Sequence, residues 1–97
     1  MSRYQIILKP QAIEDLDKIQ KYYASKIIDG IEIHLSYRPD FLSKSRIKRL
    51  RGKQESDFRL RIDDYRIFYN IDKLEKVVYI LRILHKNETT QFYRKEN

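Results

Sequence analysis

Three arginines, Arg59, Arg61 and Arg66, are the side chains in this sequence whose type and spacing are best suited to chemistry. Arg59 and Arg61 alternate with apolar residues, and successive side chains of a β-strand point to opposite faces of its sheet. The pattern predicts a strand with one apolar face and one arginine face. A tight turn at Asp63 and Asp64 then places Arg66, at the start of the next strand, close to the other two.

The chemistry that suits this arginine cluster is phosphate binding. A guanidinium group donates hydrogen bonds as a planar fork that matches phosphate oxygens, and it stays charged at any physiological pH. Three such groups repel one another unless an anion lies between them. The sequence therefore predicts an anion-binding face, and the alternative is three solvated arginines paired with Asp57, Asp63 and Asp64.

Two further polar residues belong to the last predicted strand, an apolar run over 77–84. Arg82 interrupts the run, and a charge there is costly unless it is paired or faces a cleft, so a structural salt bridge and a place in the site are both open. His85 follows the run. Its ordinary pKa of about 6.5 suits proton transfer, although a single histidine is more often structural. His34 is predicted to be an exposed helical residue.

The polar tail over 86–97 contains two adjacent aromatic residues, Phe92 and Tyr93. Aromatic side chains in such a position either complete the core of a sheet or stack on unpaired bases. Core packing is expected for one of the two, and the role of the other is open.

The net charge of +7 lies entirely in the second part of the chain. Residues 1–40 contain six basic and six acidic residues, whereas 41–97 contain fifteen basic and eight acidic ones. The segment 44–53 has no acidic residue and contains Lys44, Arg46, Lys48, Arg49, Arg51 and Lys53. Such a cluster attracts polyanions, most commonly nucleic acid, and the alternatives are an acidic protein partner or a solvated surface.

The elements that must position these residues follow from the spacing of the apolar side chains. Ala24, Ile28, Ile31 and Leu35 recur at the helical period, interrupted only by Gly30, which costs about 1 kcal/mol of helix propensity. In chain order the sequence predicts a strand, two helices, a basic connection and three strands, over 3–8, 10–23, 25–37, 40–54, 58–62, 65–71 and 77–84.

The order β-α-α-β-β-β predicts an α+β fold, in which a helical hairpin packs on one face of a small twisted sheet. Ninety-seven residues suffice for a single domain, 1–97, and twelve aromatic residues give that domain a core to bury. The sheet face that carries the arginines is expected to be open to a ligand.

The composition excludes several kinds of site. The sequence has no cysteine, which removes disulfides, thiolate metal sites and a cysteine nucleophile. Two well-separated histidines disfavour a metal site, and no phosphate-binding glycine loop is present, so neither a metal nor a cofactor is expected. No apolar run approaches the roughly 18 residues of a membrane span, which predicts a cytoplasmic protein without a membrane partner. RNA cleavage remains open, because its 2′-OH is a built-in nucleophile.

The second half of the chain contains a series of short motifs in a fixed order. These are RLRG (49–52), FRLR (58–61), DDYRIFYNID (63–72), VVYILRILHK (77–86) and FY (92–93). In this order they resemble the RelE/ParE superfamily of bacterial and archaeal type II toxins. The predicted hairpin at 10–38 fits the same plan, so the resemblance covers essentially the whole chain and is strongest over 49–86.

The resemblance implies a ribosome-dependent endoribonuclease that cuts mRNA in the A site, leaves a 2′,3′-cyclic phosphate and thereby inhibits translation. It also implies a RelB-like antitoxin as partner, with operator DNA bound only through that antitoxin. The family's site residues fall on Arg59, Arg61, Arg66, Lys86 (or Asn87 in the other alignment) and Tyr93, while the run 44–53 would bind ribosomal RNA.

The chain departs from the RelE pattern at the general base. Arg61 stands where the best-known members have a lysine, and arginine is a poor base because its pKa lies above about 12. His85 or Glu55 is then the candidate base, unless the site works by charge stabilisation alone. Two other functions remain open: a ParE-like inhibitor of DNA gyrase, and a degenerate toxin that binds only its antitoxin and operator.

Overall fold

The computed structural model describes residues 2–51 and 56–89, which form two helices and a five-stranded mixed sheet. The elements are β1 (Gln5–Leu8), α1 (Pro10–Asp17), α2 (Lys21–Leu35), β2 (Ile47–Arg49), β3 (Phe58–Ile62), β4 (Tyr65–Asp72), β5 (Val77–His85) and a 3₁₀ turn (Lys86–Glu88). The sheet order is β1-β5-β4-β3-β2, with β1 parallel to β5 and the other neighbours antiparallel. The predicted α+β fold is confirmed.

The strand β2 is absent from the prediction, which placed a loop over 40–54. β2 has only three residues, and a single buried apolar side chain, Ile47, between exposed basic ones. Its strand conformation depends on β3, because Ile47 lies opposite Leu60 in the antiparallel register. A pattern of one apolar residue is too short to predict a strand, so β2 follows from tertiary pairing.

The boundary between the helices also differs from the prediction of helices over 10–23 and 25–37. α1 ends at Asp17 and α2 begins at Lys21. The N–H of Lys18 donates to Asp15 O (3.2 Å) and that of Ile19 to Leu16 O (3.1 Å), which tightens the end of α1. Ile19 is half-buried and packs on the core from the connection, so the apolar spacing continues although the helix has ended.

The core lies between α2 and one face of the sheet. Ile27, Ile31 and Leu35 of α2 are buried, whereas Ile28 is 48% exposed. Ile31 and Leu35 are therefore buried as predicted, whereas Ile27 takes the buried position that the prediction gave to Ile28. From the sheet, alternate residues of β3 and β4 enter this core, among them Leu60 and Ile67, both fully buried.

Gly30 is part of the contact between α2 and β3. A Cβ added at Gly30 would lie 2.3 Å from Ile62 Cδ1 and 3.1 Å from Ile62 Cγ1. The glycine therefore allows the helix to approach the strand closely, which explains a residue that weakens the helix itself.

Replacing Gly30 with valine is expected to lower the free energy of unfolding by about 2–3 kcal/mol, because the branched side chain overpacks the contact with Ile62. Alanine is expected to cost less, since a gain of about 1 kcal/mol in helix propensity offsets part of the clash. Urea unfolding of both variants, with the exposed Asp29→Ala as control, tests this. A valine variant as stable as the wild type would contradict it.

Candidate nucleic-acid interface

A row of cationic side chains crosses three strands on the sheet face that lies away from the helices. In the register of β3 and β4, Arg61 lies directly opposite Arg66. On the other side of β3, the Arg61 N–H donates to Arg46 O (2.8 Å), which extends the β2–β3 ladder to that residue. Since residues opposite each other in a sheet share a face, Arg46, Arg61 and Arg66 form one cross-strand row.

A second row lies beside the first, two residues along each strand. Lys48 is opposite Arg59, and Arg59 is opposite Phe68. Phe68 is fully buried and forms a small apolar cluster with Leu84 and Leu50. The two rows together bring five cationic side chains onto one surface, here called the cationic face: Arg46, Lys48, Arg59, Arg61 and Arg66.

Arg59 and Arg66 are the two members of the cationic face that are partly buried, and Arg59 also has a buried polar atom. The Nε atom of Arg59 has no hydrogen-bond acceptor among residues 2–51 and 56–89. A buried guanidinium N–H without an acceptor is costly, and an anionic ligand on this face would relieve the cost.

The turn between β3 and β4 holds Arg66. Asp63 adopts a left-handed conformation (φ 50°), as the prediction of a tight turn at this position requires. Arg66 Nη1 donates to Asp63 O (3.0 Å) and to Tyr65 O (3.1 Å). These bonds tie the guanidinium of Arg66 to the turn beside Arg61.

The carboxylates of this turn bind lysines. Asp63 forms an ion pair with Lys26 of α2 (3.0 Å), and the hydrogen bond and charge of Asp63 raise the pKa of the Lys26 ammonium. Asp64 pairs with Lys86 (3.5 Å), whose backbone N–H also donates to Asp64 O (2.7 Å). Asp63 and Asp64 therefore form their ion pairs with lysines and not with the arginines, as the alternative had assumed. Lys86 lies at the turn that ends the first row.

His85 lies on the other side of the sheet from the cationic face. The register pairs it with Tyr65, and the two rings meet edge to face at 5.4 Å. Its ring Nδ1 accepts a hydrogen bond from the Asn87 backbone N–H (3.1 Å), and the backbone N–H of His85 donates to Glu88 Oε1 (3.0 Å). His85 thus caps the 3₁₀ turn. A catalytic role for it stays a prediction, and this position does not favour it.

Arg82 is held by a structural ion pair. Its Nε and Nη2 donate to the two carboxylate oxygens of Asp15 (2.8 and 3.1 Å). The same carboxylate accepts the backbone N–H of Ile83 (2.9 Å) and is only 9% exposed. The sequence left open a structural salt bridge or a place in the site, and the structure shows Arg82 in the salt bridge.

The basic run divides between the two faces of the sheet. Arg46 and Lys48 belong to the cationic face, whereas Arg49 lies over the Phe58 ring (5.3 Å) on the other side. Lys44 and Arg51 are exposed beyond the two ends of β2. The remaining residues named from the sequence lie outside the described residues: Lys53, Glu55, Phe92 and Tyr93.

His34 was predicted to be exposed, but it is half-buried where α2 approaches β2. Burial and the positive charge of Arg46 lower the pKa of its imidazole. Its environment depends on β2, so the sequence offered no signal for it.

The described residues 2–51 and 56–89 contain no group of three or more His, Cys, Asp or Glu side chains that could hold a metal ion. No helix among them has the length and apolar composition needed to cross a bilayer.

The model of one protein family, the ParE toxin of the type II toxin–antitoxin system parDE, matches residues 6–89. The chain belongs to this toxin family. No curated protein sequence matches it.

Solved structures of RelE toxins, members of the same RelE/ParE superfamily, share the fold of this toxin. The RelBE2 toxin–antitoxin complex of Mycobacterium tuberculosis is 27% identical, with a TM-score of 0.72 over 86% of this chain and 98% of that one. The archaeal RelE–RelB complex of Pyrococcus horikoshii is 26% identical, with a TM-score of 0.71 over 91% and 99%. A mutant of Escherichia coli toxin RelE in the free state is 16% identical, with a TM-score of 0.73 over 97% and 94%.

Proposed function

We propose that this toxin is a ribosome-dependent endoribonuclease that cleaves mRNA and so inhibits translation. The observation that carries the proposal is the cationic face, where Arg61 and Arg66 lie directly opposite each other and Arg59 lies in the adjoining row. An RNA phosphate between these side chains would receive several charge-assisted hydrogen bonds.

The cleavage step needs little covalent chemistry from the protein. The 2′-OH loses its proton as its oxygen attacks the adjacent phosphorus, the bond from phosphorus to the 5′-oxygen breaks, and that oxygen takes up a proton, so that the products are a 2′,3′-cyclic phosphate and a 5′-OH. Arg59 and Arg61 would bind the scissile phosphate, while Arg66 would stabilise the charge of the pentacovalent phosphorus and the leaving oxygen.

Proton transfer is the part of the reaction with the fewest candidates. Arg61 cannot act as a base at neutral pH, and His85 caps a turn on the other face of the sheet. Lys86 lies at the correct end of the first row and pairs with Asp64. Most of the proposed rate enhancement therefore comes from charge stabilisation by the arginines and from the orientation of the RNA on the ribosome. Lys86 would add positive charge at the site, and Tyr93 would stack on a base.

Inhibition of DNA gyrase is the second candidate function. The observation that favours it is that the matching family model is that of the ParE toxin. A gyrase inhibitor needs a binding surface but no reaction at the arginines, so the two functions predict different damage in the cell.

An antitoxin is the proposed partner. Two of the similar structures are complexes of a RelE toxin with its RelB antitoxin, at 27% and 26% identity. A free toxin of this kind would arrest its host, which implies that a neighbouring gene encodes the protein that neutralises it.

Expression of the chain with and without the neighbouring gene tests the proposed function. Without that gene, growth is expected to stop, and mapping of 5′ ends is expected to show new ends within translated mRNA. An Arg61→Ala, Arg66→Ala double variant is the matched control and should leave mRNA intact. Intact mRNA together with altered plasmid supercoiling would instead assign the gyrase function, and normal growth would indicate a degenerate toxin.

A further inference from the structure

Four aromatic rings form a continuous series at one end of the molecule, here called the ring series. His85 of β5 meets Tyr65 of β4 edge to face, with the ring centroids 5.4 Å apart. Tyr65 is followed by Tyr23 of α2 at 6.1 Å, and Tyr23 by Tyr22 at 5.1 Å. These separations are those of ordinary aromatic pairs. The ring series therefore runs from the sheet to the beginning of α2.

The exposure of the rings increases toward α2. His85 and Tyr65 are half-buried, and Tyr65 packs on the core. Tyr23 is 39% exposed and Tyr22 is 66% exposed, so burial in the core does not account for these two side chains. A pair of adjacent exposed tyrosines that rests on a fixed ring differs from the single apolar side chains of an ordinary exterior and is typical of an interaction site.

The segment that carries the two outer tyrosines is basic. Over 18–28 it contains Lys18, Lys21 and Lys26 and no acidic residue, although residues 1–40 as a whole are neutral. All three lysines are exposed, and Lys26 Nζ lies 5.3 Å from the centre of the Tyr22 ring. Aromatic side chains among basic ones are typical of surfaces that bind single-stranded nucleic acid. The composition of this surface therefore favours RNA as its ligand.

The ring series begins where the cationic face ends. Tyr65 and Arg66 are consecutive residues of β4, so their side chains leave on opposite faces at the same end of the sheet. Arg66 Nη1 also donates to Tyr65 O (3.1 Å). The beginning of α2 approaches this end, because Lys26 pairs with Asp63 of the β3–β4 turn (3.0 Å). An RNA strand that crosses the turn thus passes directly from the arginines to the rings.

The charges of the β3–β4 turn allow such a crossing. Its two carboxylates would repel phosphates if they were bare, but Asp63 pairs with Lys26 and Asp64 pairs with Lys86. Lys18 and Lys21, near the beginning of α2, then supply positive charge for the phosphates that follow.

The direction of the strand follows from the proposed reaction. Arg66 is assigned to the leaving 5′-oxygen, which belongs to the nucleotide on the 3′ side of the cut. Among the arginines of the cationic face, Arg66 is the one that adjoins Tyr65 in the chain. The bases nearest to the ring series are therefore those that follow the cut.

We propose that the ring series is a second RNA subsite, in which Tyr22 and Tyr23 stack on unpaired mRNA bases on the 3′ side of the scissile phosphate. The proposal rests on the endoribonuclease function proposed above. The arginines bind phosphates and the rings bind bases, so the two tyrosines position the strand without touching the reacting atoms. Because every base has a π-face, this contact tolerates different sequences.

Fluorescence anisotropy of the purified toxin with a short unpaired RNA oligonucleotide tests the proposal. The Tyr22→Ala, Tyr23→Ala double variant is expected to bind at least about 10-fold more weakly, because base stacking is lost. The Tyr22→Phe, Tyr23→Phe variant keeps both rings and should bind as the wild type does. The matched control is Tyr37→Ala, at a 52% exposed tyrosine beyond the other end of α2, which should also bind normally.

Several results of this comparison overturn the proposal. They are undiminished binding by the alanine double variant, an equal loss in Tyr37→Ala, a loss in the phenylalanine variant, and a wild type that does not bind the RNA. Unchanged RNA binding together with weaker binding of the antitoxin by the alanine double variant would assign the rings to a protein instead.

A second test uses the wild-type toxin alone and so does not depend on the folding of a variant. The fluorescent base 2-aminopurine, which stacking quenches, is placed at successive positions of an mRNA on ribosomes with an open A site. A 2′-deoxyribose before the cut removes the nucleophile and keeps the strand intact. The toxin is expected to quench fluorescence at positions just 3′ of the cut, and quenching nowhere or only on the 5′ side contradicts the proposal.

The two proposals fail in different ways. Cleavage of ordinary mRNA without quenching on the 3′ side refutes the ring series as a subsite and leaves the endoribonuclease function in place. Absence of cleavage refutes that function, while the binding of RNA by the free protein can still be compared between variants. Weaker binding of the alanine double variant to ribosomes, without quenching in the mRNA, would assign the rings to ribosomal RNA and overturn the proposal.

Discussion

Replacement of Arg66 by alanine is expected to lower mRNA cleavage at least about 100-fold and to relieve growth arrest, because preorganised charge at the developing phosphorane is lost. Arg66 lies opposite Arg61 and is fixed to the β3–β4 turn by its bonds to Asp63 O and Tyr65 O. Loss of these partly exposed bonds should change the free energy of unfolding by only about 1 kcal/mol. Cleavage is measured on ribosome-bound mRNA, and stability by urea unfolding.

The control for Arg66 is an arginine that lies away from the cationic face. Arg3 precedes β1 and pairs with Glu32 of α2, so Arg3→Ala removes a surface charge of the same kind. It should leave cleavage unchanged. Arg66→Lys, which keeps the charge but loses the planar fork, should restore part of the activity. Full toxicity of Arg66→Ala would show that the cationic face is not the reactive site.

Replacement of Asp15 by alanine is expected to destabilise the fold by about 3 kcal/mol. Its carboxylate, only 9% exposed, accepts two hydrogen bonds from Arg82 and one from the Ile83 N–H. Removal leaves a half-buried guanidinium and a backbone N–H without their acceptor. Urea unfolding measures the loss.

A double-mutant cycle separates the ion pair from the backbone bond. Arg82→Ala removes only the two bonds from the side chain and should cost less than Asp15→Ala, while the double variant should be close to Asp15→Ala alone. The exposed neighbour Asp17→Ala should change stability by less than about 0.5 kcal/mol. A strictly additive double variant would mean that Asp15 and Arg82 do not stabilise the fold through each other.

The β3–β4 hairpin was predictable from local pattern alone. Alternation along β3 assigned Arg59 and Arg61 to one face, and the two-residue turn at Asp63 and Asp64 determined which residue of β4 lies opposite them. The position of Arg61 opposite Arg66 could therefore be predicted from the sequence. The position of Arg46 in the same row could not be predicted, because it depends on the short strand β2, which forms only against β3.

The sheet face on which His85 lies could not be predicted from the sequence, for a different reason. The register of β4 and β5 shifts between Phe68 and Tyr69, where Arg82 pairs with Phe68 and Ile80 with Tyr69. Strict alternation from Ile80 would put His85 on the arginine face, but the extra residue in β5 moves it to the helical face. A bulge that changes the face of a whole strand end leaves no signal in the apolar pattern. The pairing of Arg82 with Asp15, which are 67 residues apart, is equally a product of tertiary structure.

The most direct test of the central claim uses purified toxin and ribosomes that carry mRNA with an open A site. The account predicts cleavage that requires the ribosome, leaves a 2′,3′-cyclic phosphate and a 5′-OH, and disappears in the Arg61→Ala, Arg66→Ala variant while the protein remains folded. Intact mRNA at saturating folded wild-type toxin, or cleavage undiminished in that variant, would contradict it.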